Sequence, residues 1–348
     1  MRRYLTYIMM LPLCAALAGC IRDEIAECPP LQVRIGVKDK NYFNIDGAEH
    51  FGMETRKADD LPFKEYVSTL YYALSDAATG EVVKEQTLFT VTSGDREIPV
   101  SFPQDLPFGT YVLTVWGNMR SERPLGDNPS ASDLHLYNAE GNDVYLKSDT
   151  LRYDEMSFEY LIELERVKGK LIILAENLPD NINFSKKQIS NVYAYVTHDF
   201  NYSKAIHVNT DTLWTKRNDI LTKTLLCPST DIDASNLHID FYGLGNAPAD
   251  KAVNWIVPED IRITMRRNEL TILRYIYESG GEPLPPDEPD EPDEPDEPDE
   301  PDEPDIPDEP DIPDLPDEPV EPDPGNSKFK VYVLVNDNWE GLHSMEID

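Results

Sequence analysis

The stretch Leu31-Gln32-Val33-Arg34-Ile35-Gly36-Val37 alternates apolar side chains with polar or small ones, which is typical of a half-buried β-strand. Successive side chains of a strand point to opposite faces of a sheet, so Leu31, Val33, Ile35 and Val37 would share the buried face. Short segments with strand character recur along the chain, many bounded by glycine- or proline-containing turns: residues 67–74, 82–89, 97–102, 111–116, 158–164, 169–174, 192–197, 237–242 and 270–277. Short strands separated in this way favour a β-sandwich.

The region between residues 28 and 278 is large enough for two hydrophobic cores. Roughly 250 residues suit two domains better than one sandwich. A polar stretch over residues 119–149 also separates two runs of strands. We therefore predict an all-β chain with an N-terminal β-sandwich domain over residues 20–150 and a second β-sandwich domain over residues 151–280.

The N-terminus has the pattern of a lipoprotein signal peptide. A basic start and an apolar run over residues 5–17 lead into Leu17-Ala18-Gly19-Cys20. This pattern predicts a signal peptide over residues 1–19, cut before a Cys20 that carries lipid. Acyl chains, at about 0.8 kcal/mol per buried methylene, would then hold the protein on a membrane surface. The alternative is a short transmembrane helix, but the run is shorter than the roughly 20 apolar residues that a span needs.

Two of the four cysteines remain unassigned after this step. Cys14 falls in the signal peptide and Cys20 carries the lipid. In an oxidising exterior, the remaining Cys28 and Cys227 form either a disulfide or two separate buried thiols.

An acidic, proline-rich segment follows the second predicted domain. The chain has a formal net charge of −35, and residues 282–323 contain 22 Asp and Glu and no Lys or Arg. Nucleic acid is therefore not an expected partner, because phosphate binding needs clustered cations. Prolines occupy every third position over residues 286–322, which matches the three residues per turn of polyproline II.

This period predicts a semi-rigid spacer over residues 281–327 that could reach about 130 Å. The alternative is a solvated low-complexity segment of no defined length. A specific calcium site is not expected, since isolated carboxylates along a rod lack converging oxygens.

A strand pattern returns in the last residues, 328–348, where Phe329, Val331, Val333 and Val335 alternate with other side chains. We predict one terminal β-strand with a turn after it. A lone strand is not stable in water, so it would complete either the chain's own second domain or the sheet of a neighbouring subunit. A stiff spacer argues against folding back, because loop closure is cheap only for flexible chain.

Catalytic motifs are absent from the sequence. It contains no His-Glu-x-x-His, Gly-x-Ser-x-Gly, Cys-x-x-Cys, phosphate loop or glycine-rich dinucleotide turn. We therefore predict no enzyme activity, no cofactor, no metal ligands and no small-molecule substrate. Four aromatic side chains could form a sugar-binding platform, although core packing is the more common role for such residues: Tyr71, Tyr72, Trp116 and Trp255. A surface glycan-binding lipoprotein is accordingly the alternative function.

Several short motifs follow one another in a fixed order: the lipidated cysteine with Glu27-Cys28-Pro29, Phe108-Gly109-Thr110-Tyr111, Val115-Trp116-Gly117-Asn118, Val167-Lys168-Gly169-Lys170-Leu171 and Asn177-Leu178-Pro179. Their order resembles that of the fimbrillin-associated anchor proteins of Bacteroidetes. Ile21-Arg22-Asp23-Glu24 resembles the acidic export signals of lipoproteins in this group. The likeness extends over most of residues 20–278, whereas the proline-rich spacer departs from it.

The resemblance implies two transthyretin-like β-sandwich domains in a membrane-proximal fimbrial subunit. It implies a lipid-anchored protein exposed on the outer membrane, with a fimbrial stalk subunit, a pilin, as its partner. Such an anchor would keep its N-terminal strand, here residues 31–37, and would end the fibre. The terminal strand with Phe329, Val331, Val333 and Val335 would be donated to the adjoining pilin.

Overall fold

The computed structural model describes residues 29–215, 219–243, 255–278, 328–335 and 337–346. The predicted signal peptide, Cys20, Cys28 and the acidic proline-rich segment lie outside these residues. The described chain is almost entirely β, with one short α-helix, α1 (Ile45–His50), and three single-turn 3-10 helices at Phe63–Glu65, Arg123–Leu125 and Leu136–Asn138. No helix within the described ranges combines the length and apolar character needed to cross a membrane.

The first sandwich is a seven-stranded sheet, in the order β3-β2-β5-β7-β8-β1-β4, that turns a corner between β7 and β8. These two strands pair only at Tyr145–Arg166 and Leu146–Glu165, so four strands face the other three. The strands are β1 (Gln32–Val37), β2 (Thr69–Asp76), β3 (Val82–Thr90), β4 (Ile98–Ser101), β5 (Gly109–Gly117), β7 (Tyr145–Tyr153) and β8 (Glu159–Arg166).

The first core forms between the two halves of this sheet. On β1, Val33 and Ile35 are buried while Gln32 and Arg34 are exposed, as the alternation in the sequence predicts. β1 lies between β8, which it meets in parallel, and β4, which it meets antiparallel. The N-terminal strand is therefore an interior strand of its sheet.

The second sandwich packs a five-stranded sheet, β12-β9-β16-β17-β18, against a six-stranded sheet. The six-stranded sheet runs β11-β10-β13-β14, with β15 on β13 and β6 on β10. The strands are β6 (Ala131–Asp133), β9 (Gly169–Glu176), β10 (Phe184–Thr197), β11 (Tyr202–Leu213), β12 (Asp219–Leu226), β13 (Ser235–Tyr242), β14 (Trp255–Ile256), β15 (Ile261–Ile263), β16 (Leu270–Glu278), β17 (Lys328–Val335) and β18 (Asn338–Glu346).

The two sandwiches share a third hydrophobic cluster. The outer faces of β2 and β5 contribute Tyr71 and Trp116, and the second sandwich contributes Val196 and Cys227. The short strand β6 pairs with β10 and ties the two halves further. A fourth cluster lies under α1, on the outer face of β9 and β16.

The prediction of an all-β chain built from β-sandwiches is confirmed. The eleven strand segments predicted from the sequence, the terminal strand included, all lie within or overlap observed strands. The sequence pattern missed several others, including β7, β11, β12 and β18. The domain boundary predicted near residue 150 falls within β7, and the strands of the first sandwich continue to Arg166.

Candidate functional site

The terminal segment folds onto the chain's own second sandwich. β17 pairs antiparallel with β16, from Leu273–Val333 to Glu278–Lys328, and β18 pairs with the outer edge of β17. We call β17 and β18 the terminal hairpin. The prediction of a single strand with a turn is thus wrong, because the segment forms two strands. Of the two alternatives for this segment, the isolated chain adopts the one in which it folds back onto its own second sandwich.

The inward face of β17 is part of the second core. Phe329 and Val331 are 0% exposed, and Val333 packs against the same cluster from a half-buried position. The Phe329 ring stacks on Phe241 at 5.9 Å and meets Tyr277 edge-on at 5.4 Å, measured between ring centroids. The predicted alternation is therefore present in the structure, and the apolar face of β17 packs into the second core.

The opposite face of the terminal hairpin contacts α1. Leu334 and Trp339 pack against the fourth cluster, which α1 shares with the outer face of β9 and β16. The Trp339 ring lies 5.4 Å from the ring of Phe51, and the Arg274 guanidinium lies 5.7 Å from its centroid. The hairpin is consequently held on both faces, by the second core inside and by α1 outside. Val335 is half-buried at the end of β17.

Both ends of the acidic proline-rich segment are fixed at one place in the sheet. Glu278 and Lys328 are facing residues of the β16–β17 ladder, and Lys330 Nζ lies 2.6 Å from Glu278 Oε1. The hydrogen bond to Glu278 raises the Lys330 pKa. The argument that a stiff spacer opposes folding back is therefore not borne out for this chain, since the connection leaves and returns at adjacent positions.

Cys227 lies in the cluster between the two sandwiches. Its thiol is fully buried, and burial raises its pKa to about 12. Its backbone N–H donates to His135 Nε2 at 3.1 Å. Cys28 lies outside the described residues, so the Cys28–Cys227 disulfide stays a prediction.

The aromatic side chains considered for a sugar platform do not form one. Tyr71, Tyr72 and Trp116 are all buried, with exposed fractions of 1%, 7% and 0%. The Trp116 indole donates to the Pro129 carbonyl at 2.8 Å. The core-packing interpretation holds for these three, and the Trp255 side chain lies outside the described part of the structure. The described part of the chain also contains no group of His, Cys, Asp and Glu residues suited to hold a metal ion.

Comparison with known proteins finds distant structural similarity only. No protein-family model and no curated protein matches the chain. A structure from Bacteroides thetaiotaomicron, provisionally classed as an adhesin, is 11% identical with a TM-score of 0.49, covering 72% of this chain and 92% of its own. The fimbrial anchor protein Mfa2 from Porphyromonas gingivalis is 14% identical with a TM-score of 0.39, covering 73% and 93%. The tip fimbrial protein Mfa3 from the same organism, with a C-terminal truncation, is 14% identical with a TM-score of 0.36, covering 75% and 97%.

Proposed function

We propose that this chain is a structural subunit of a surface fimbria, tethered to the outer membrane by lipid on Cys20. In this proposal it ends the fibre beside the membrane and donates its terminal strand to the adjoining pilin. The terminal hairpin carries the proposal, because β17 pairs with β16 along its backbone and buries an alternating apolar face, as a donated strand would.

Strand exchange is energetically reasonable for this hairpin. The fully buried Phe329 and Val331 contribute about 1.5–3 kcal/mol each, and the half-buried Val333 contributes less. Release of β17 from β16 would expose them, and insertion into a matching groove of a pilin would bury them again. Burial in the pilin would therefore offset the apolar burial that is lost on release.

The N-terminal strand supports the part of the proposal in which this chain donates a strand but accepts none. β1 lies between β8 and β4 with Val33 and Ile35 in the core. The position that an incoming strand would need in the first sandwich is thus filled by the chain itself. A subunit that donates a strand and accepts none would end a fibre.

A disulfide lock tests donation directly. Arg274 and Tyr332 face each other across the β16–β17 ladder, and facing Cα atoms of antiparallel strands, about 4.5–5.5 Å apart, lie within the range that a disulfide bridges. The Arg274→Cys/Tyr332→Cys variant should lose capture of pilin from gently solubilised outer membrane when oxidised and regain it when reduced.

The matched control locks the strand that is expected to stay in place. Gln32 and Ser101 face each other across β1 and β4 and are both exposed, so Gln32→Cys/Ser101→Cys should capture pilin in both redox states. Equal capture by the oxidised β17 lock would exclude donation of β17 while keeping a fimbrial role. Absence of any pilin with the wild-type chain would contradict the fimbrial role itself.

A further inference from the structure

A cleft separate from the terminal hairpin lies beside the contact between the two sandwiches. It has a volume of about 540 Å³, which is within the range of small-molecule sites. The residues after β5 form one wall, and the loop over residues 133–142 forms the other. Met119, Leu134 and Val144 are buried side chains that line it. We call it the Tyr137 cleft, after the 79% exposed aromatic side chain on its rim.

The loop that carries Tyr137 has a strained backbone. Tyr137 has φ 59° and ψ 28°, and Asn138 has φ 59°. Two consecutive non-glycine residues in the left-handed region cost about 1–3 kcal/mol each. Such strain persists only where the surrounding structure holds it in place, and it concentrates at functional sites.

Buried polar side chains hold this loop from beneath. The fully buried Lys168 ammonium donates to the carbonyls of Leu134 at 2.9 Å and Glu140 at 2.5 Å. Because His135 Nε2 accepts the Cys227 N–H, its Nδ1 carries the hydrogen and donates to the Ala139 carbonyl at 2.8 Å.

Burial lowers the His135 pKa to about 3, so the ring stays neutral. Burying a lysine without a paired carboxylate is costly. The hydrogen bonds from Lys168 and His135 fix the position of the loop and of Tyr137.

The rim of the cleft presents two guanidinium groups. The Arg123 guanidinium lies 5.2 Å from the Tyr137 ring centroid, and Arg120 Nε donates to Asn142 Oδ1 at 2.9 Å. Neither arginine forms an ion pair with any residue that the structure describes. Both therefore keep N–H groups for an anion in a chain whose net charge is −35.

Several other polar groups of the cleft are already hydrogen-bonded. The carboxylates of Asp133 and Glu140 accept backbone N–H groups from His135 at 3.2 Å and Leu225 at 2.6 Å. The Ser132 hydroxyl is buried in the cleft wall and has no hydrogen-bond partner among the described residues. A buried hydroxyl without a partner leaves a hydrogen bond for a ligand to supply.

We propose that the Tyr137 cleft binds a pyranose that carries a carboxylate, as in a uronic or sialic acid residue of a glycan. The arginine forks suit a carboxylate, the Tyr137 ring and the apolar lining suit the C–H face of a sugar ring, and the Ser132 hydroxyl suits one of its hydroxyl groups. This inference stands independently of the fimbrial proposal, and the two can fail separately.

The test measures binding of the full chain by isothermal titration calorimetry and saturation-transfer NMR. The probes are sialyllactose and digalacturonic acid, with lactose as the neutral comparison. Wild type should bind at least one acidic probe at least tenfold more tightly than lactose, with affinity falling as salt rises. Equal affinity for lactose, or no binding of either acidic probe, would overturn the proposal.

Two variants separate recognition from folding. Tyr137→Gly removes the aromatic ring and suits the left-handed backbone, so it should retain or raise stability while weakening binding at least tenfold. Arg120→Gln/Arg123→Gln should weaken binding of acidic probes by a similar factor. Arg96→Gln, an exposed arginine 3.8 Å from Asp60, is the control and should bind like wild type. Unchanged binding by the Tyr137 and arginine variants would contradict the assignment.

The acidic proline-rich segment of this same chain is a competing occupant, since its carboxylates would also suit Arg120 and Arg123. A variant lacking residues 283–324 distinguishes the two. The sugar proposal expects the full chain and the deletion variant to bind the acidic probes alike. Binding that appears only after the deletion would overturn it in favour of the acidic segment.

Discussion

Removing the Phe329 ring should open the terminal hairpin selectively. The side chain is 0% exposed and lies 5.4–6.0 Å, between ring centroids, from Tyr275, Tyr277 and Phe241. Substitution of a buried Phe by Ala typically costs 3–5 kcal/mol. Because these three aromatic contacts are lost together, we expect Phe329→Ala to lower the free energy of opening the hairpin by about 4 kcal/mol.

Hydrogen exchange read by mass spectrometry measures this opening. A loss of about 4 kcal/mol corresponds to roughly 10³-fold faster exchange of the β17 amides and of the β16 amides that pair with them. Strands β2 and β5 of the first sandwich should exchange at wild-type rates. Tyr332→Ala, on the outward face of the same strand, should accelerate exchange by no more than about tenfold, since that side chain is only half-buried. Equal effects of the two substitutions would refute the inward register of β17.

Three further predictions concern other parts of the chain. His238 Nδ1 lies 2.6 Å from Asp260 Oδ1, and this hydrogen bond raises the His238 pKa. The His238–Asp260 pair should therefore stabilise the fold fully below about pH 6.5, the ordinary pKa of histidine. This stabilisation should be lost as the pH rises through the raised pKa of the folded state. Thermal unfolding of wild type and His238→Gln should therefore differ more at low pH than at high pH, and a constant difference would argue against the ion pair. Lys168→Met leaves two buried carbonyls unsatisfied at about 1–3 kcal/mol each, so a protease should cut the loop over residues 133–142 faster than in wild type, and an unchanged rate would contradict the role of Lys168. Cys20→Ala should abolish incorporation of a labelled fatty acid, and retained label would place the lipid elsewhere.

Strands were predictable where one face is buried and the other exposed. β1 and β17 show this alternation in their sequences and were found from it. β11 was missed because it lies at a sheet edge with most side chains exposed, and β18 carries a similarly polar sequence at the edge of its own sheet. Their places come from backbone pairing with β10 and β17, which leaves little hydrophobic pattern to detect.

The position of the terminal hairpin depends on tertiary contacts that the local sequence pattern does not reveal. The residues on either side of the acidic proline-rich segment, Glu278 and Lys328, face each other in the β16–β17 ladder. Burial of Phe329 and Val331 contributes about 3–6 kcal/mol, and the contact of Leu334 with the fourth cluster adds to it. These contacts favour the folded-back arrangement. The alternation identified the inward face, whereas the sheet it joins follows from tertiary packing.

The Tyr137 cleft left no recognisable signal in the sequence. Lys168 appeared there only within a short motif, and its burial beneath a loop more than 20 residues away along the chain is a tertiary property. The strained backbone at Tyr137 is likewise invisible to a pattern search, because Tyr, unlike Gly or Asn, does not mark the left-handed region. The cleft is recognised as a candidate site only from the structure, where a buried lysine and a strained loop occur at the same place.

The motifs that carry the family resemblance have structural explanations in this fold. In Val115-Trp116-Gly117-Asn118, a Cβ on Gly117 would lie 2.8 Å from Val67 Cγ1. Asn118 has φ 62° and donates to the carbonyls of Tyr66 and Asp143. These residues form a corner of the first sandwich, and their types follow from close approach and backbone conformation.

The same holds in the second motif, Val167-Lys168-Gly169-Lys170-Leu171. A Cβ on Gly169 would lie 2.2 Å from the Arg266 carbonyl oxygen, so a side chain cannot fit where β9 begins. Motifs of this kind specify how the sandwiches are built, and any chain with these corners would need them whatever it binds. In the two proposals, partner choice therefore resides in residues outside these motifs: the inward face of β17 and the Tyr137, Arg120 and Arg123 side chains on the rim of the Tyr137 cleft.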